Sequence, residues 1–273
     1  MTARARRSCL SVPGSSERML AKAPLLGADE VIVDLEDAVA PEGKVAARAL
    51  AVAAVRNGPL ARTTAIRVNA RGSEWWEDDL RAAAEARPDV VVLPKVESAQ
   101  DVAAAAELLP DGIGIEAQIE TARGLANADE IAAAGHALEA LIFGPADLAA
   151  SLGIPVLTIG DGANDYAFAR VVAAARACGL QAVDGPHARL GDDLGLVVSA
   201  RRAFEHGYDG KWVIHPSQIE PVHLVFTPSP AEVERAQRIL AAPQGAVRFE
   251  GELVDEASRR LAEGLLRRAA LLS

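Results

Sequence analysis

Short apolar runs rich in β-branched residues alternate along the chain with Ala-rich stretches of helical periodicity. Eight such runs occur, at 8–12, 31–35, 64–68, 90–94, 113–119, 140–143, 181–183 and 211–214. The helical stretches between them include 16–26, 42–55, 99–109, 164–178 and 196–206. Strict alternation of this kind predicts parallel strands joined by right-handed helical crossovers.

Eight repeats favour a closed α/β barrel, the (β/α)8 or TIM barrel, over an open doubly wound sheet. The length of 273 residues is close to the ~250 typical of one such barrel. The Gly-x-Gly-x-x-Gly phosphate loop of a dinucleotide-binding open sheet does not follow the first run. We therefore expect a barrel over 1–227.

Residues 228–273 break the pattern and predict a C-terminal helical extension, with helices at 230–240 and 255–272. The second of these helices carries Arg259, Arg260, Arg267 and Arg268 among leucines, which makes it amphipathic and basic on one face. We predict that the extension is a cap that packs on a neighbouring subunit. A simple solvated surface is the alternative.

Composition narrows the class of partner and the location. A formal charge of -10 argues against nucleic acid, and no stretch approaches the ~20 apolar residues that span a bilayer. The basic start of the chain runs into a segment too short for a signal peptide. Only Cys9 and Cys178 occur, which suits a reducing cytoplasm, and both are predicted to be buried structural thiols.

Charged and polar residues follow the predicted strands. In a barrel they would ring the mouth where active sites lie: Asp34, Glu36, Asp37, Arg67, Asn69, Lys95, Glu120, Asp147, Asp184 and His215. Glu120 and Asp147 each come directly after an apolar run and before a helix-like stretch, so the two carboxylates predict a magnesium site open to water and substrate. The alternative is that both are ordinary surface or ion-paired acids.

Arg67 offers a planar fork that can grip the carboxylate of an oxo acid, unless a salt bridge to Glu36 or Asp37 occupies it. Glu36 and Asp37 are expected to hydrogen-bond metal-bound water or to orient Arg67. Lys44 and Arg48 lie four residues apart on the next predicted helix and share a face, where they could meet a phosphate. A solvated charge is the alternative for each.

Several motifs in a fixed order resemble the citrate lyase β-subunit-like branch of the HpcH/HpaI aldolase family, which includes malyl-CoA and citramalyl-CoA lyases. The resemblance covers nearly the whole chain. It rests on Arg7-Ser-Cys-Leu-Ser-Val-Pro-Gly14, Asp34-Leu-Glu-Asp-Ala-Val-Ala-Pro41, Arg67-Val-Asn69, Leu93-Pro-Lys95, Glu120-Thr-Ala-x-Gly124, Gly144-x-x-Asp147 and Gly210-Lys-Trp-Val-Ile-His-Pro-Ser-Gln-Ile219.

The resemblance implies Glu120 and Asp147 as ligands of Mg2+, with Mn2+ as an alternative ion, and Arg67 as the clamp on the oxo-acid carboxylate. It places Glu36 and Asp37 with the catalytic residues. The cofactor-binding residues that it implies are Lys44, Arg48, Lys95, His215 and Pro216, with Lys44, Arg48 and the 214–217 loop as candidate contacts of CoA.

In the family a C-terminal aspartate in an Asp-x-Pro context reaches across a subunit interface as acid or base. Asp255 looks like its counterpart, but here Asp255-Glu-Ala257 lacks the proline. A second departure is Pro145-Ala146 ahead of Asp147, where relatives often carry an acidic residue. The resemblance also implies a homo-oligomer, a trimer or hexamer.

The implied reaction is a Mg-dependent, reversible carbon-carbon cleavage of a 3-hydroxyacyl-CoA such as malyl-, citramalyl- or citryl-CoA to acetyl-CoA, or a homologue, and a 2-oxo acid. Three alternatives stay open: a CoA-independent class II aldolase for free 2-oxo acids, a citrate lyase β-type subunit that needs a carrier protein, and a non-catalytic binding protein.

Overall fold

The computed structural model describes residues 3–135, 137–155 and 165–272. Eight parallel strands close into a barrel in chain order, as the sequence predicted. They are β1 Ser8–Pro13, β2 Glu30–Asp34, β3 Thr63–Arg67, β4 Val90–Leu93, β5 Gly114–Ile119, β6 Leu138–Phe143, β7 Gln181–Asp184 and β8 Gly210–Val213. Each predicted run overlaps its strand, which confirms the (β/α)8 prediction.

Helices follow the strands and pack around the barrel. They are α1 Glu17–Lys22, α2 Lys44–Arg56, α3 Trp76–Ala86, α4 Ala99–Ala106, α5 Ala122–Ala126, α6 Ala128–Ala132, α7 Pro145–Ser151, α8 Asp165–Ala177, α9 Asp193–Glu205 and α10 Ile219–Phe226. Single 3-10 turns lie at Ala23–Leu25, Pro41–Gly43 and Pro216–Gln218. The predicted start of the helix at Asn164 falls outside the described residues. Within the described ranges, no helix is long and apolar enough to cross a membrane.

The C-terminal extension contains α11 Pro230–Ala241 and α12 Glu256–Leu272, which pack against each other. Ser229 caps α11 in a capping box with Glu232, which explains why this helix starts sharply at Pro230. Between the two helices, β9 Val247–Phe249 and β10 Glu252–Val254 form an antiparallel hairpin that the sequence analysis did not foresee. Each strand has only three residues, too few for a clear alternating pattern.

Side chains inside the barrel lie in layers, because alternate residues of each strand point inward. The middle layer is apolar and includes Cys9, Ile32, Ala65, Ile142 and Trp212. Two residues farther along β2 and β3, the same inward face carries Asp34 and Arg67. The alternation that fills the core therefore also delivers polar side chains to the mouth.

The floor of the barrel is polar and fully buried. Arg6 lies between Glu30 and Glu116, with its Nε 2.6 Å from Glu116 Oε1 and 3.3 Å from Glu30 Oε2. Burial and the neighbouring Glu116 raise the pKa of Glu30 well above its ordinary value. Because the Arg6 guanidinium is shared among Glu30, Glu116 and Glu139, this floor favours the neutral form of Glu30.

The prediction for the cysteines is correct for Cys9, which is buried, and wrong for Cys178, which is exposed. Cys178 follows the last residue of α8, at a helix end that faces solvent. An apolar residue type alone does not indicate on which side of a helix terminus the side chain lies.

Candidate active site

A cavity of about 400 Å3 opens at the mouth of the barrel, where the C-terminal ends of the strands meet. Its lining brings together residues from β2, β3, β5, β6, the loop after β6 and β8. Among them are Asp34, Asp37, Arg67, Gln118, Glu120, Gly144, Asp147 and Trp212. The cavity therefore gathers acids and a guanidinium that are far apart in sequence.

Arg67 is fixed by two ion pairs. Its Nε and Nη2 donate to Asp34 Oδ1 and Oδ2 at 2.8 and 2.6 Å, and Nη1 lies 2.9 Å from Glu36 Oε2. The guanidinium also stacks on Trp212, 5.2 Å from the ring centroid. Although burial lowers the pKa of Arg67, the carboxylates of Asp34 and Glu36 raise it above its ordinary value. The cation is permanent and held in one orientation.

The salt bridge from Arg67 to Glu36, which the sequence analysis gave as the alternative to a substrate clamp, is thus present. Asp37 lies farther away, at 3.9 Å from the guanidinium, and its side chain is mostly exposed. Burial raises the pKa of Glu36, while Arg67 and Lys95 oppose that rise. Glu36 therefore contacts Arg67 directly, whereas Asp37 lines the cavity at a greater distance from the guanidinium, and their predicted roles stay predictions.

Glu120 follows the last residue of β5 and is only 2% exposed. Its Oε1 accepts a hydrogen bond from the backbone N–H of Lys95 at 2.9 Å, and Gln118 Nε2 lies 3.4 Å from Oε2. Burial, followed by the nearby charges of Asp147 and Glu36, raises the pKa of Glu120 to about 7. Clustered carboxyl groups with raised pKa values are common at functional sites, and a bound cation would relieve the repulsion between Glu120 and Asp147.

Asp147 lies in the first turn of α7, which starts at Pro145 after Gly144. Its side chain is 39% exposed and faces the cavity, with Oδ1 3.6 Å from Lys95 Nζ. Gly144 allows the close approach of this turn to Glu120, because a Cβ at Gly144 would lie 2.3 Å from Glu120 Oε2. Gly144 therefore helps to bring both acids into the same cavity.

These donors fit Mg2+. A hard cation of this kind commonly takes one or two protein carboxylates and fills its other positions with water and substrate oxygens. Glu120 and Asp147 border the same cavity, and their mutual repulsion contributes to the raised pKa of Glu120. In the described part of the chain no group of three or more His, Cys, Asp or Glu side chains is arranged to hold a metal. The protein would supply two ligands.

Lys44 and Arg48 are engaged with the protein itself. Lys44 is buried and its Nζ donates to the carbonyl oxygens of Leu35 and Glu36, at 2.8 and 2.6 Å. Arg48 Nε donates to Asp79 Oδ1 at 2.7 Å. Both side chains hold the loop after β2 and its neighbours in place, and their predicted contact with a CoA phosphate stays a prediction.

The loop after β8 places His215 and Pro216 at the surface, where His215 Nδ1 lies 2.8 Å from Ser217 Oγ. Asp255 precedes α12 and its Oδ1 accepts hydrogen bonds from the backbone N–H and the hydroxyl of Ser258. Backbone and side-chain hydrogen bonds from Ser258 lower the pKa of Asp255. Asp255 is not among the described residues that line the cavity.

Two other residues of the predicted ring have structural partners. Asn69 Nδ2 donates to the Leu35 carbonyl at 3.0 Å and to Asp79 Oδ2 at 2.6 Å. Asp184 forms a buried ion pair with Lys211, whereas the preceding Val183 faces the barrel interior. The expectation that every charged strand end would face the cavity is therefore wrong for Asp184, because adjacent residues of a strand point to opposite sides.

Gln118, Trp212 and Gly144 line the cavity although the sequence did not single them out as site residues. Gln118 lies on β5, two residues before Glu120, so the strand period alone places it on the same inward face. Trp212 has the same relation to Ile214, which also lines the cavity. Gly144 carries a weaker signal, a glycine directly after an apolar strand.

The chain is similar to known proteins in sequence and in fold. Residues 7–216 match the family described as HpcH/HpaI aldolase/citrate lyase. A (3S)-malyl-CoA thioesterase of Cereibacter sphaeroides is 42% identical, over 91% of this chain and 89% of the relative. An L-malyl-CoA/beta-methylmalyl-CoA lyase of the same species is 36% identical, over 99% of this chain and 96% of the relative.

Solved structures show the same fold. The protein CitE from Mycobacterium tuberculosis, in complex with magnesium, acetoacetate and coenzyme A, is 38% identical with a TM-score of 0.82. The match covers 97% of this chain and 98% of that one. A citrate lyase from Burkholderia xenovorans matches with a TM-score of 0.86 at 25% identity, over 100% of this chain and 93% of that one.

Proposed function

The chain belongs to the HpcH/HpaI aldolase/citrate lyase family, and from that premise we propose that it is a Mg-dependent lyase for a 3-hydroxyacyl-CoA such as malyl-CoA. The products would be acetyl-CoA, or a homologue, and a 2-oxo acid. The observation that carries the proposal is the cavity in which Glu120 and Asp147 lie beside a fixed Arg67. The magnesium, acetoacetate and CoA bound by a structural relative support it.

Mg2+, held by Glu120 and Asp147, would supply a Lewis acid and a template for the oxo-acid end of the substrate. Arg67 would bind the substrate carboxylate through the guanidinium N–H groups that Asp34 does not use. Its orientation is fixed before substrate arrives, which reduces the entropy lost on binding and the reorganisation needed during reaction. Glu36 keeps this orientation by pairing with Nη1.

Cleavage also needs a base that takes the proton of the substrate hydroxyl and an acid for the reverse step. We propose that Asp255 of a neighbouring subunit has this role, with residues 228–273 as the cap that carries it. Two features support the idea: Asp255 does not reach the cavity of its own chain among the described residues, and hydrogen bonds from Ser258 lower its pKa, which keeps it a carboxylate.

Thioester hydrolysis is the second candidate, because the 42% identical relative is a (3S)-malyl-CoA thioesterase. Hydrolysis would consume water and release malate and free CoA from malyl-CoA, whereas cleavage would release acetyl-CoA and glyoxylate. Both reactions would use the same grip on the acid end of the substrate. The two reactions differ in the bond that breaks: a carbon-carbon bond in cleavage and the thioester bond in hydrolysis.

The test is to incubate purified protein with malyl-, citramalyl- and citryl-CoA, with Mg2+ and then with EDTA. Free thiol and the 2-oxo acid are measured separately. A metal-dependent 2-oxo acid without free thiol supports the lyase, and free thiol without oxo acid supports the thioesterase. Activity on free 2-oxo acids alone points to a CoA-independent aldolase, and activity that needs an added carrier subunit points to a citrate lyase β-type role.

Variants test the assignments. Glu120→Gln and Asp147→Asn are expected to lose metal-dependent turnover and Mg2+ binding in calorimetry while keeping a cooperative thermal transition. Near-normal turnover in either variant contradicts the metal assignment. If Asp255 acts across an interface, mixed oligomers of Asp255→Asn and Glu120→Gln subunits will regain activity that neither variant has alone. Mixed oligomers without activity contradict the shared site.

A further inference from the structure

We propose that Lys95 is a positioning residue. Its ammonium neutralises Asp147 when no metal is bound, and the contact between Lys95 and Asp147 breaks when the metal binds. This inference rests on the proposed metal site. It assigns Lys95 a role toward the cation and the carboxylates, which differs from a contact with CoA. Lys95 makes four contacts with carboxyl groups, one through its backbone and three through its ammonium.

The first contact comes from the backbone. Lys95 lies directly after Pro94 in the connection from β4 to α4 and has a φ of 53°, in the left-handed region. Arg87 and Glu250 also have a positive φ. Arg87 caps the C-terminus of α3 and Glu250 lies in the turn between β9 and β10, so in both cases the positive φ occurs where the chain changes direction. At Lys95 the backbone N–H donates to Glu120 Oε1, at 2.9 Å.

The other contacts come from the side chain. Lys95 Nζ donates to Glu36 Oε1 and lies 3.6 Å from Asp147 Oδ1 and 3.9 Å from Asp37 Oδ1. One residue thus orients one metal-binding acid through its backbone and neutralises the other through its ammonium. Without that charge, Glu36 would keep only Arg67, and Asp147 and Glu120 would repel each other across the cavity.

A bound divalent cation makes part of this arrangement redundant. It would neutralise Glu120 and Asp147 directly, and it would repel an ammonium located beside Asp147. The hydrogen bond to Glu36 gives Lys95 a second anchor on the side of the cavity formed by the loop after β2. Lys95 can therefore release Asp147 while it continues to hold Glu36 and, through its backbone, Glu120.

The experiment compares the thermal transition of the full chain with EDTA and with Mg2+. The variants are Lys95→Met, which keeps the backbone and loses the charge, and Lys95→Arg, which restores it. The matched control is Lys22→Met, because Lys22 is exposed on α1. Calorimetric titration with Mg2+ is the second readout, so that no conclusion depends on turnover.

We expect Lys95→Met to melt at a lower temperature than wild type in EDTA and to recover most of the loss in Mg2+. Its Mg2+-induced shift will then exceed that of wild type, of Lys22→Met and of Lys95→Arg. Adding Asp147→Asn to Lys95→Met should abolish the larger shift, because the cation then lacks its ligand.

If the Mg2+-induced rise in melting temperature of Lys95→Met is equal to or smaller than that of wild type, the proposed role of Lys95 is wrong. This includes the case in which Lys95→Met lowers the melting temperature by the same amount with and without metal. The absence of any Mg2+ effect on wild type in both readouts overturns the metal site as well. Wild-type binding combined with an unchanged Lys95→Met shift refutes the role of Lys95 alone. The two failures are therefore distinguishable.

Discussion

Gly144→Ala tests the geometry of the site with a single methyl group. Gly144 has φ -105° and ψ 89°, a conformation open to alanine, so the substitution adds no backbone strain from a positive φ. The added Cβ, however, would lie 2.3 Å from Glu120 Oε2 and 2.4 Å from Glu120 Cβ, where ordinary contacts are 3.4–4 Å. Either the turn before α7 or the Glu120 side chain must move.

The displacement needed is about 1 Å, and overpacking of this kind costs roughly 1–3 kcal/mol. Since a change of about 1.4 kcal/mol is tenfold in a binding constant, we expect Mg2+ affinity to fall by about tenfold or more. If part of the strain remains in the metal-free protein, the melting temperature will fall by about 2 °C or more. Calorimetric Mg2+ titration and thermal melting in EDTA measure the two effects.

Gly264→Ala is the matched control. Gly264 lies within α12, and a Cβ there would meet only the end of the Arg267 side chain, at 3.9 Å. Alanine in a helix interior is favoured over glycine by roughly 0.5–1 kcal/mol, so this variant should melt at or above the wild-type temperature. A Gly144→Ala protein with wild-type melting and wild-type Mg2+ affinity would refute the argument that Gly144 sets the position of Glu120.

Three further predictions concern titration and the loop after β2. Burial and Asp147 raise the pKa of Glu120 to about 7, so Mg2+ affinity should fall as the pH drops below about 7, because the carboxyl group must lose its proton before it binds the metal. Calorimetric titrations at about pH 6 and pH 8 measure this, and equal affinities at the two pH values contradict it. The raised pKa of Glu30 means that its neutral form stabilises the fold at low pH and that stability is lost as pH rises. Glu30→Gln should therefore raise the melting temperature near pH 8 by an amount equivalent to about 1–3 kcal/mol and change it little near pH 5. An equal effect at both pH values contradicts the argument that ionised Glu30 destabilises the fold. Lys44→Met should lower stability by about 1–3 kcal/mol and reduce kcat without raising KM for acyl-CoA, because Lys44 donates to loop carbonyls; a rise in KM alone would instead support its contact with CoA.

The barrel was predictable because its signal repeats. Each strand is a buried apolar run, and eight runs in alternation with helices leave few other topologies. The positions of Glu120 and Asp147 were predictable for a related reason: they end strand-and-turn units whose C-terminal ends meet at one mouth. It was harder to predict which side of the sheet the last residue of each strand faces, as Asp184 shows. A shift of one residue along a strand reverses the direction of the side chain.

Apart from the salt bridge between Arg67 and Glu36, the tertiary partners of charged side chains were not predictable. Lys44 and Arg48 share a face of α2, as their spacing indicated, but the spacing contains no information about Asp79 on α3 or about the carbonyls of the loop after β2. Lys95 was grouped with cofactor-binding residues, and its left-handed backbone has no sequence signal because lysine rarely adopts that conformation. Long-range pairing depends on how elements pack.

The charge balance of the mouth indicates what a bound divalent cation would contribute there. Asp34, Glu36, Asp37, Glu120 and Asp147 supply five carboxyl groups against the two cations Arg67 and Lys95. An anionic acid that entered this cavity would meet excess negative charge, and Arg67 cannot offset it because Asp34 and Glu36 already neutralise the guanidinium. A divalent cation held by Glu120 and Asp147, as proposed, would change that balance. The metal would then provide the attraction for the substrate carboxylate, and Arg67, fixed by its acidic partners, would provide the direction of binding.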